Sequence, residues 1–436
     1  MIFLFDESIK IKSAIFHKFL VNLYRSNRKV TRRRIFNHDI MVCTHASVMG
    51  NYLYSGRVLG LTEPEDIIQL HPDLKSQWDS VTEHYERIGL SHSKNAIWDV
   101  SLRVLEDYPN LDVSLFFFGN ATNEADCGED WLYKIDRDFF DTVKLMNSKN
   151  NFIQLAQELG VSVPQTLCFK DKALIKDLSD FPYPCYFKPA ISVNGSGIAR
   201  CENPQQLCSI LETFPEGVLL QIQEEVVASC FLNVQYHAQD SKLERLAITA
   251  QILNGCSHTG NRYPSPHQPW ESVEPIAEWM VQHGMKEVFA FDVAVVEDAT
   301  QTRYLAIECN PRFNGASYPT GIAKKLNISS WSHETFKTEC CSLENLDFND
   351  IEFNPKTNTG VVVVNWGTIL VGKISILLAG TVQEQNELRT IVHNRCQYEH
   401  KNNRVFTEHP RVQESQSLQL LTTGNALSEP CTFLQS

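Results

Sequence analysis

Two stretches near residue 300 alternate apolar and polar positions with a period of two. In FAFDVAVV (289–296), Phe289, Phe291, Val293 and Val295 alternate with Ala290, Asp292 and Ala294, and RYLAIECN (303–310) alternates similarly. That period predicts strands. The six residues EDATQT (297–302) join them, so an antiparallel hairpin is expected. Pairing about Thr300 puts Asp292 opposite Glu308 on one face, with Asn310 two residues further on. Opposed side chains in such a pair have Cβ atoms within about 5 Å.

Elsewhere the pattern predicts a mixed α/β (α+β) chain. IMVCTHA (40–46) and LDVSLFFFGN (111–120) read as buried strands, and VMGNYLYSGRVLG (48–60) reads as a helix. Within 143–166, Asn147 or Ser148 caps a helix with a stripe of Phe152, Leu155, Ala156 and Leu159, and Gly160 ends it. CYFKP (185–189) is a strand, SVNGSG (192–197) a glycine-rich loop, and a strand resumes at Ile198. Strands follow at 218–226, 231–239 and 246–253. Residues 256–269 read as a long polar loop carrying Arg262 and three prolines. A helix is expected at 275–282, another through 317–336, then strands with glycine turns at 359–381 and a helix at 384–396. The resulting organisation is a basic segment (1–35), an N-terminal α/β lobe (36–142), a central domain (143–335) with a subdomain at about 160–225, closing strands and a helix (336–397), and a polar tail (398–436) expected to be poorly ordered.

Composition narrows the picture. The chain has 436 residues, 43% of them hydrophobic, enough for two or three packed domains. It has no apolar run of 18 residues, so no transmembrane helix is expected. The opening MIFLFDESIKIK lacks a basic n-region and a cleavage site. Thirteen cysteines without a CxxC pair suit free thiols, and the expectation is a cytoplasmic protein. A net charge of −13 argues against nucleic acid as a partner. Residues 1–35 run against that balance, with nine basic residues and two acids. Their Arg25–Arg34 cluster reads either as a weak contact for an anionic surface or acidic partner, or as a solvated arm docked on the acidic body.

Two facing carboxylates repel unless a cation separates them. Oxygen ligands without His or Cys at ligand spacing point to Mg²⁺ rather than zinc; the bland alternative is a surface hairpin whose acids face water. The SVNGSG loop either closes over phosphates with its N–H groups or is a simple turn. The Arg262 loop is either a substrate loop or an exposed connector. Lys149, in a first helical turn, is either a surface residue or is held for an anion. Neither GxGxxG nor GxxxxGK[ST] occurs, which removes the usual dinucleotide and P-loop sites.

In order and spacing these pieces resemble the ATP-grasp superfamily across roughly 143–327, with an N-terminal lobe similar in position to the preATP-grasp domain. Asn147-Ser148-Lys149 resembles the first nucleotide-binding lysine segment, and Lys188 in YFKPA the second. The lid is SVNGSG, with Ser192, Asn194, Gly195, Ser196 and Gly197. Gln223-Glu224-Glu225-Val226 resembles the hinge that receives adenine, so Gln223, Glu224 and Val226 are expected there. Asp292, Glu308 and Asn310 resemble the metal-binding set, and Arg312 the arginine that steadies the transferred phosphate. Asn233 is carried as a nucleotide contact, although Phe231 and Asn233 stand where many members place polar or acidic ribose contacts.

The resemblance implies ATP and Mg²⁺ (or Mn²⁺) as cofactors and small-molecule carboxylate and amine substrates. It implies a carboxylate–amine ligase working through an acyl phosphate, with Arg312 and Arg262 as catalytic candidates. A carboxylate–thiol ligase or phosphotransferase, and a non-catalytic ATP-binding regulator, are the alternatives. The lysines would neutralise phosphates as point charges, and no protein nucleophile is needed. The resemblance gives no role to GVVVVNWG (360–367).

Overall fold

The structure, a computed structural model, describes residues 33–41, 50–118, 128–192, 195, 197–255 and 257–397. Residues 1–32, the tail from 398, Asn194 and Ser196 lie outside the described residues. Three sheets organise the chain. The N-terminal lobe has a parallel sheet in the order β3-β2-β1-β4, from β1 (Arg34–Asn37), β2 (Ile67–Gln69), β3 (Asn95–Ile97) and β4 (Asp112–Leu115). Its strands are short and mostly apolar, as suits a sheet covered on both faces. The first strand is RIFN rather than IMVCTHA: Ile40 and Met41 already leave the sheet, and 42–49 lie outside the described residues. Residues Asn51–Leu61 form a 3₁₀ helix instead of the expected α-helix.

A small antiparallel sheet, β5-β8-β6-β7, comprises β5 (Thr166–Phe169), β6 (Cys185–Pro189), β7 (Ala199–Cys201) and β8 (Leu220–Glu224). It buries Cys185, Phe187, Leu220 and Ile222 on one face. By alternation the other face carries Tyr186, Lys188, Gln221 and Gln223.

The large antiparallel sheet runs β13-β12-β9-β10-β11-β14-β16-β15. Its strands are β9 (Cys230–Gln239), β10 (Lys242–Asn254), β11 (Ser257–Tyr263), β12 (Glu287–Glu297), β13 (Thr302–Asn310), β14 (Trp331–Lys337), β15 (Gly360–Asn365) and β16 (Lys373–Ala379). The closing strands therefore complete the same sheet as the hairpin. Two expectations fail here. Residues 317–336 are not one helix: the helix Ser317–Lys325 stops before Asn327, which has φ 55°, and the alternating WSHETF becomes β14. The polar stretch 256–269 is not all loop, because Ser257–Tyr263 pairs with both β10 and β14.

The helices are α1 (Trp78–Arg87), α2 (Gly128–Met146, broken at Asp136), α3 (Lys149–Glu158), α4 (Pro204–Thr213), α5 (Glu274–Gln282), α6 (Ser317–Lys325) and α7 (Val382–Gln397). One core joins Phe152, Ile153 and Ala156 of α3 and Ile276 and Met280 of α5 to the apolar face of β9 and β12. A second core joins the N-terminal lobe to β15, β16 and α6. Two glycines allow that close approach. A Cβ at Gly56 would lie 2.7 Å from the Trp366 ring, and one at Gly60 2.7 Å from Ile322. Trp366 is fully buried and its Nε1 donates to Gly56 O at 2.8 Å, which gives the GVVVVNWG segment a packing role. Among the described residues no helix is long and apolar enough to cross a membrane.

Candidate active site

The hairpin acids meet because of a bulge. Next to the turn the register is Val293↔Ala306, which would carry Asp292 to Ile307. The register shifts between Asp292 and Val293, and pairing resumes as Asp292↔Glu308, Phe291↔Cys309 and Ala290↔Asn310. One extra residue thus turns Glu308 and Asn310 onto the face of Asp292 and away from the phenylalanine core. On the neighbouring strands that face carries Asn233, directly beside Asp292, and Thr249 beyond it.

Amides surround Asp292. Its Oδ1 accepts from Asn233 Nδ2 at 2.8 Å and Gln251 Nε2 at 2.7 Å, and its Oδ2 from Asn310 Nδ2 at 3.2 Å. Glu308 has a cation instead: Lys149 Nζ is 2.8 Å from its Oε2. Lys149 comes from the first turn of α3, whose start is anchored by Lys149 N–H donating to Ala190 O at 2.8 Å. Its side chain is only 9% exposed, which settles the surface alternative for this lysine. Lys188 Nζ donates to Gln223 Oε1 at 2.6 Å, and Gln223 Nε2 donates to Thr166 Oγ1 at 2.9 Å. Arg312 Nη1 donates to Asn147 Oδ1 at 2.7 Å, and its guanidinium lies 4.3 Å over the Phe118 ring.

The two acids respond in opposite directions. Burial and the charge of Glu308 push Asp292 well above the usual carboxylate range, tempered by hydrogen bonds from Asn233 and Asn310. Burial also opposes ionisation of Glu308, but Lys149, with Lys188 and Arg312 behind it, holds it well below that range. One cation thus contacts Glu308 and two more from separate segments bear on it, whereas Asp292 forms no ion pair among the described residues. Nearby buried polar atoms lack partners: Ser148 Oγ, Asn150 Oδ1 and both amide atoms of Gln221. Gln221 is fully buried and pairs with Lys188 across the small sheet. Unpaired buried polar groups are costly, and here they cluster between the two sheets. Among the described residues no group of three His, Cys, Asp or Glu side chains is arranged so that it could hold a metal ion.

The other expected site residues fall as follows. Gly195 and Gly197 turn the loop after β6 with φ 75° and 76°, and Ser192 lies in the same loop. In the hinge, Glu224 N–H is bonded to Gln165 O and Glu225 N–H to Pro184 O, so those two donors are occupied; Val226 follows in irregular chain. Arg262 does not belong to the cluster. It pairs with Ala250, which pairs with Leu232, which pairs with Val293, so it stands on the sheet face opposite Asp292. Its side chain is exposed there, away from the acid pair, whereas a catalytic role was expected of it. Its neighbour Asn261 is on the acid face, buried, with Nδ2 donating to Thr249 Oγ1 at 2.9 Å and Oδ1 2.6 Å from His258 Nε2.

Sequence reasoning missed Gln251, Gln221 and the contact between Arg312 and Phe118. Gln251 was within reach, since it lies two residues from Thr249 on an alternating strand. Phe118 was not, because it comes from the other lobe.

Residues 146–316 match the model of the ATP-grasp domain family. Among solved structures, the chain is similar to N5-carboxyaminoimidazole ribonucleotide synthetase in an ADP complex. Identity is 11% and the TM-score 0.54, over 84% of this chain and 98% of that one. The N5-carboxyaminoimidazole synthetase of Staphylococcus aureus is similar at 10% identity and TM-score 0.52, over 85% and 98%. At such identities the likeness is one of fold.

Proposed function

Because this chain belongs to the ATP-grasp superfamily, we propose that it is an ATP-dependent ligase joining a carboxylate to an amine. The carrying observation is that Lys149 contacts Glu308, with Lys188 and Arg312 behind it, directly opposite Asp292. Phosphoryl transfer from ATP requires positioning and charge neutralisation, and little else from the protein. Lys149 and Lys188 bind the phosphates, and the unpaired Ser148, Asn150 and Gln221 atoms supply further polar contacts. On binding, Lys149 exchanges its bond to Glu308 for phosphate, which frees that carboxylate. Asp292, Glu308 and Asn310 are hard oxygen donors that fit Mg²⁺, and the proton-retaining tendency of Asp292 marks a pair short of positive charge. When bound, the ion supplies charge neutralisation across the phosphates.

An oxygen of the substrate carboxylate attacks the γ-phosphorus, and the bond to the β–γ bridging oxygen breaks, releasing ADP. Arg312, fixed by Asn147 and Phe118, offers its guanidinium to the transferred phosphoryl group. The amine nitrogen then attacks the acyl carbon, the carbon–oxygen bond to phosphate breaks, and the amine loses a proton to solvent. The Gly195–Gly197 turn closes over the phosphates and limits hydrolysis of the acyl phosphate. The test is a mass-spectrometric screen of amino-acid and metabolite mixtures with ATP and Mg²⁺. ADP, phosphate and a condensed product are expected. AMP release sinks the acyl-phosphate route, and absence of turnover favours a regulator.

A further inference from the structure

Arg57 lies outside the cluster just described and is buried at 9% exposure. Gly56 beside it and Gly60 let the Asn51–Leu61 helix lie close against Trp366 and Ile322. Rings flank the guanidinium: Tyr54 at 5.2 Å, Phe116 at 4.6 Å and Tyr318 at 4.5 Å. Aromatic faces attract a cation but offer no acceptor in the plane of its N–H groups. Arg57 Nε and Nη2 are both buried without a hydrogen-bond partner. A buried charge in that state is costly unless an anion joins it.

We propose that Arg57 binds a substrate carboxylate, distinct from the one that is phosphorylated, carried on either the acid or the amine. This rests on the ligase reading above. Nε and Nη2 form one edge of the guanidinium, and other arginines of this protein use that edge for carboxylates. Arg87 does so with Glu352 at 2.9 and 2.8 Å, Arg200 with Glu225 at 2.5 and 2.7 Å, and Arg245 with Glu274 at 2.9 and 2.6 Å. Arg57 presents the same two donors with no acidic residue on them.

The location fits a substrate subsite. Phe116 and Phe118 belong to one core and Phe117 to the other, so the first two rings share a face of this extended stretch. Arg57 stacks on Phe116 and Arg312 on Phe118. Two residues of chain span at most about 7 Å, within the reach of a small bifunctional molecule. Besides Tyr54 and Tyr318, a titratable neighbour is His38, whose ring nitrogens contact Tyr318 OH at 3.0 Å and Ser114 Oγ at 2.9 Å. Burial and the Arg57 charge keep His38 neutral. One cation with one two-donor edge matches a carboxylate better than a multiply charged phosphate.

Matched compounds test this on the full-length chain, by thermal shift with Mg²⁺·ATP and by ADP release. The acid arm pairs succinate and glutarate with propionate and butyrate. The amine arm pairs glycine and β-alanine with methylamine and ethylamine. In one arm the wild type should prefer the compound with the additional carboxylate by roughly 10- to 100-fold. Arg57→Met should erase that preference, and Arg57→Lys should recover part of it. Arg57→Gln gives the same comparison should the methionine variant not fold. Equal binding within every pair overturns the proposal. So does a preference that survives in the variants, or protection by inorganic phosphate and by no carboxylate. Thermal protection of the wild type by Mg²⁺·ATP alone reports the nucleotide site separately. Its loss counts against the ligase reading, whereas its presence without carboxylate preference removes only the role of Arg57.

Discussion

Glu352 and Glu308 are both largely enclosed carboxylates that take cations from distant parts of the chain, yet they end in opposite states. Glu352 is saturated. Its oxygens receive Arg87 Nε and Nη2 and, at 2.7 Å, His84 Nδ1, and its side chain is 9% exposed. His84 Nε2 accepts from Val363 N–H at 3.1 Å, so a neutral imidazole protonated on Nδ1 satisfies both contacts. The cluster fastens α1 to the segment before β15, with both carboxylate oxygens engaged. Glu308 is 30% exposed, engages Lys149, and faces Asp292, whose other hydrogen-bond partners are amides. Charge placed for stability closes on itself, whereas charge placed for a ligand leaves valences open.

Emptying the open cluster should have the largest effect. Glu308→Ala should lower ATP turnover by roughly 1,000-fold or more, the scale seen when charge-stabilising groups are removed. Circular dichroism should remain native, because Glu308 holds no element in place beyond its contact with Lys149. Retained turnover would refute its metal role. Next in size is Lys188→Ala. Its loss should weaken ATP binding about 10- to 100-fold, the value of one charge-assisted bond. Equilibrium titration with a nucleotide analogue measures this, and unchanged affinity would count against the phosphate contact.

Much of the open cluster was legible because it obeys local rules. Alternation along 289–310 implied the hairpin, and pairing about Thr300 put Asp292 against Glu308. That register holds only through the bulge, which the sequence does not announce. Lys149 and Lys188 were readable from a helix start and a strand end. Arg262 was misread because a strand with Gly260 and a proline after it resembles a loop until its partners β10 and β14 are known. Arg57 was invisible for a related reason. Two of the rings that flank its guanidinium, Phe116 and Tyr318, come from far along the chain. Long-range packing decides such positions, and local periodicity carries no trace of it.

The closed cluster gives a smaller effect of a different kind. Glu352→Gln should cost about 1–2 kcal/mol of stability, a discounted figure because Arg87 is 45% exposed. Burial works against ionisation of Glu352, but hydrogen bonds from His84 and Arg87 win and hold it down to about 2. A carboxylate lowered by folding contributes stability above its unfolded value, near 4.3, and loses it as pH falls towards the folded value. Denaturation midpoints of the wild type should therefore fall between about pH 4.3 and 2 more steeply than those of Glu352→Gln. Parallel acid limbs would mean that the cluster is not closed in solution.

Arg262→Ala should produce the smallest change. Arg262 is exposed and stands on the face of the large sheet opposite Asp292. Its chemistry resembles that of Arg312, and only its position separates the two. Removing it should leave KM for every substrate unchanged and shift stability by within ~0.5 kcal/mol, as for an ordinary surface position. Asn261→Ala, one residue away, should behave differently. Asn261 is fully buried on the acid face and links Thr249 to His258. Losing it strands buried Thr249 and releases the exposed His258 ring, at a cost of about 1–3 kcal/mol. Paired steady-state and denaturation measurements on the two variants decide the matter. A rise in KM for Arg262→Ala with Asn261→Ala silent would reverse the assignment of faces, and with it the division between a face that bears the site and one that packs.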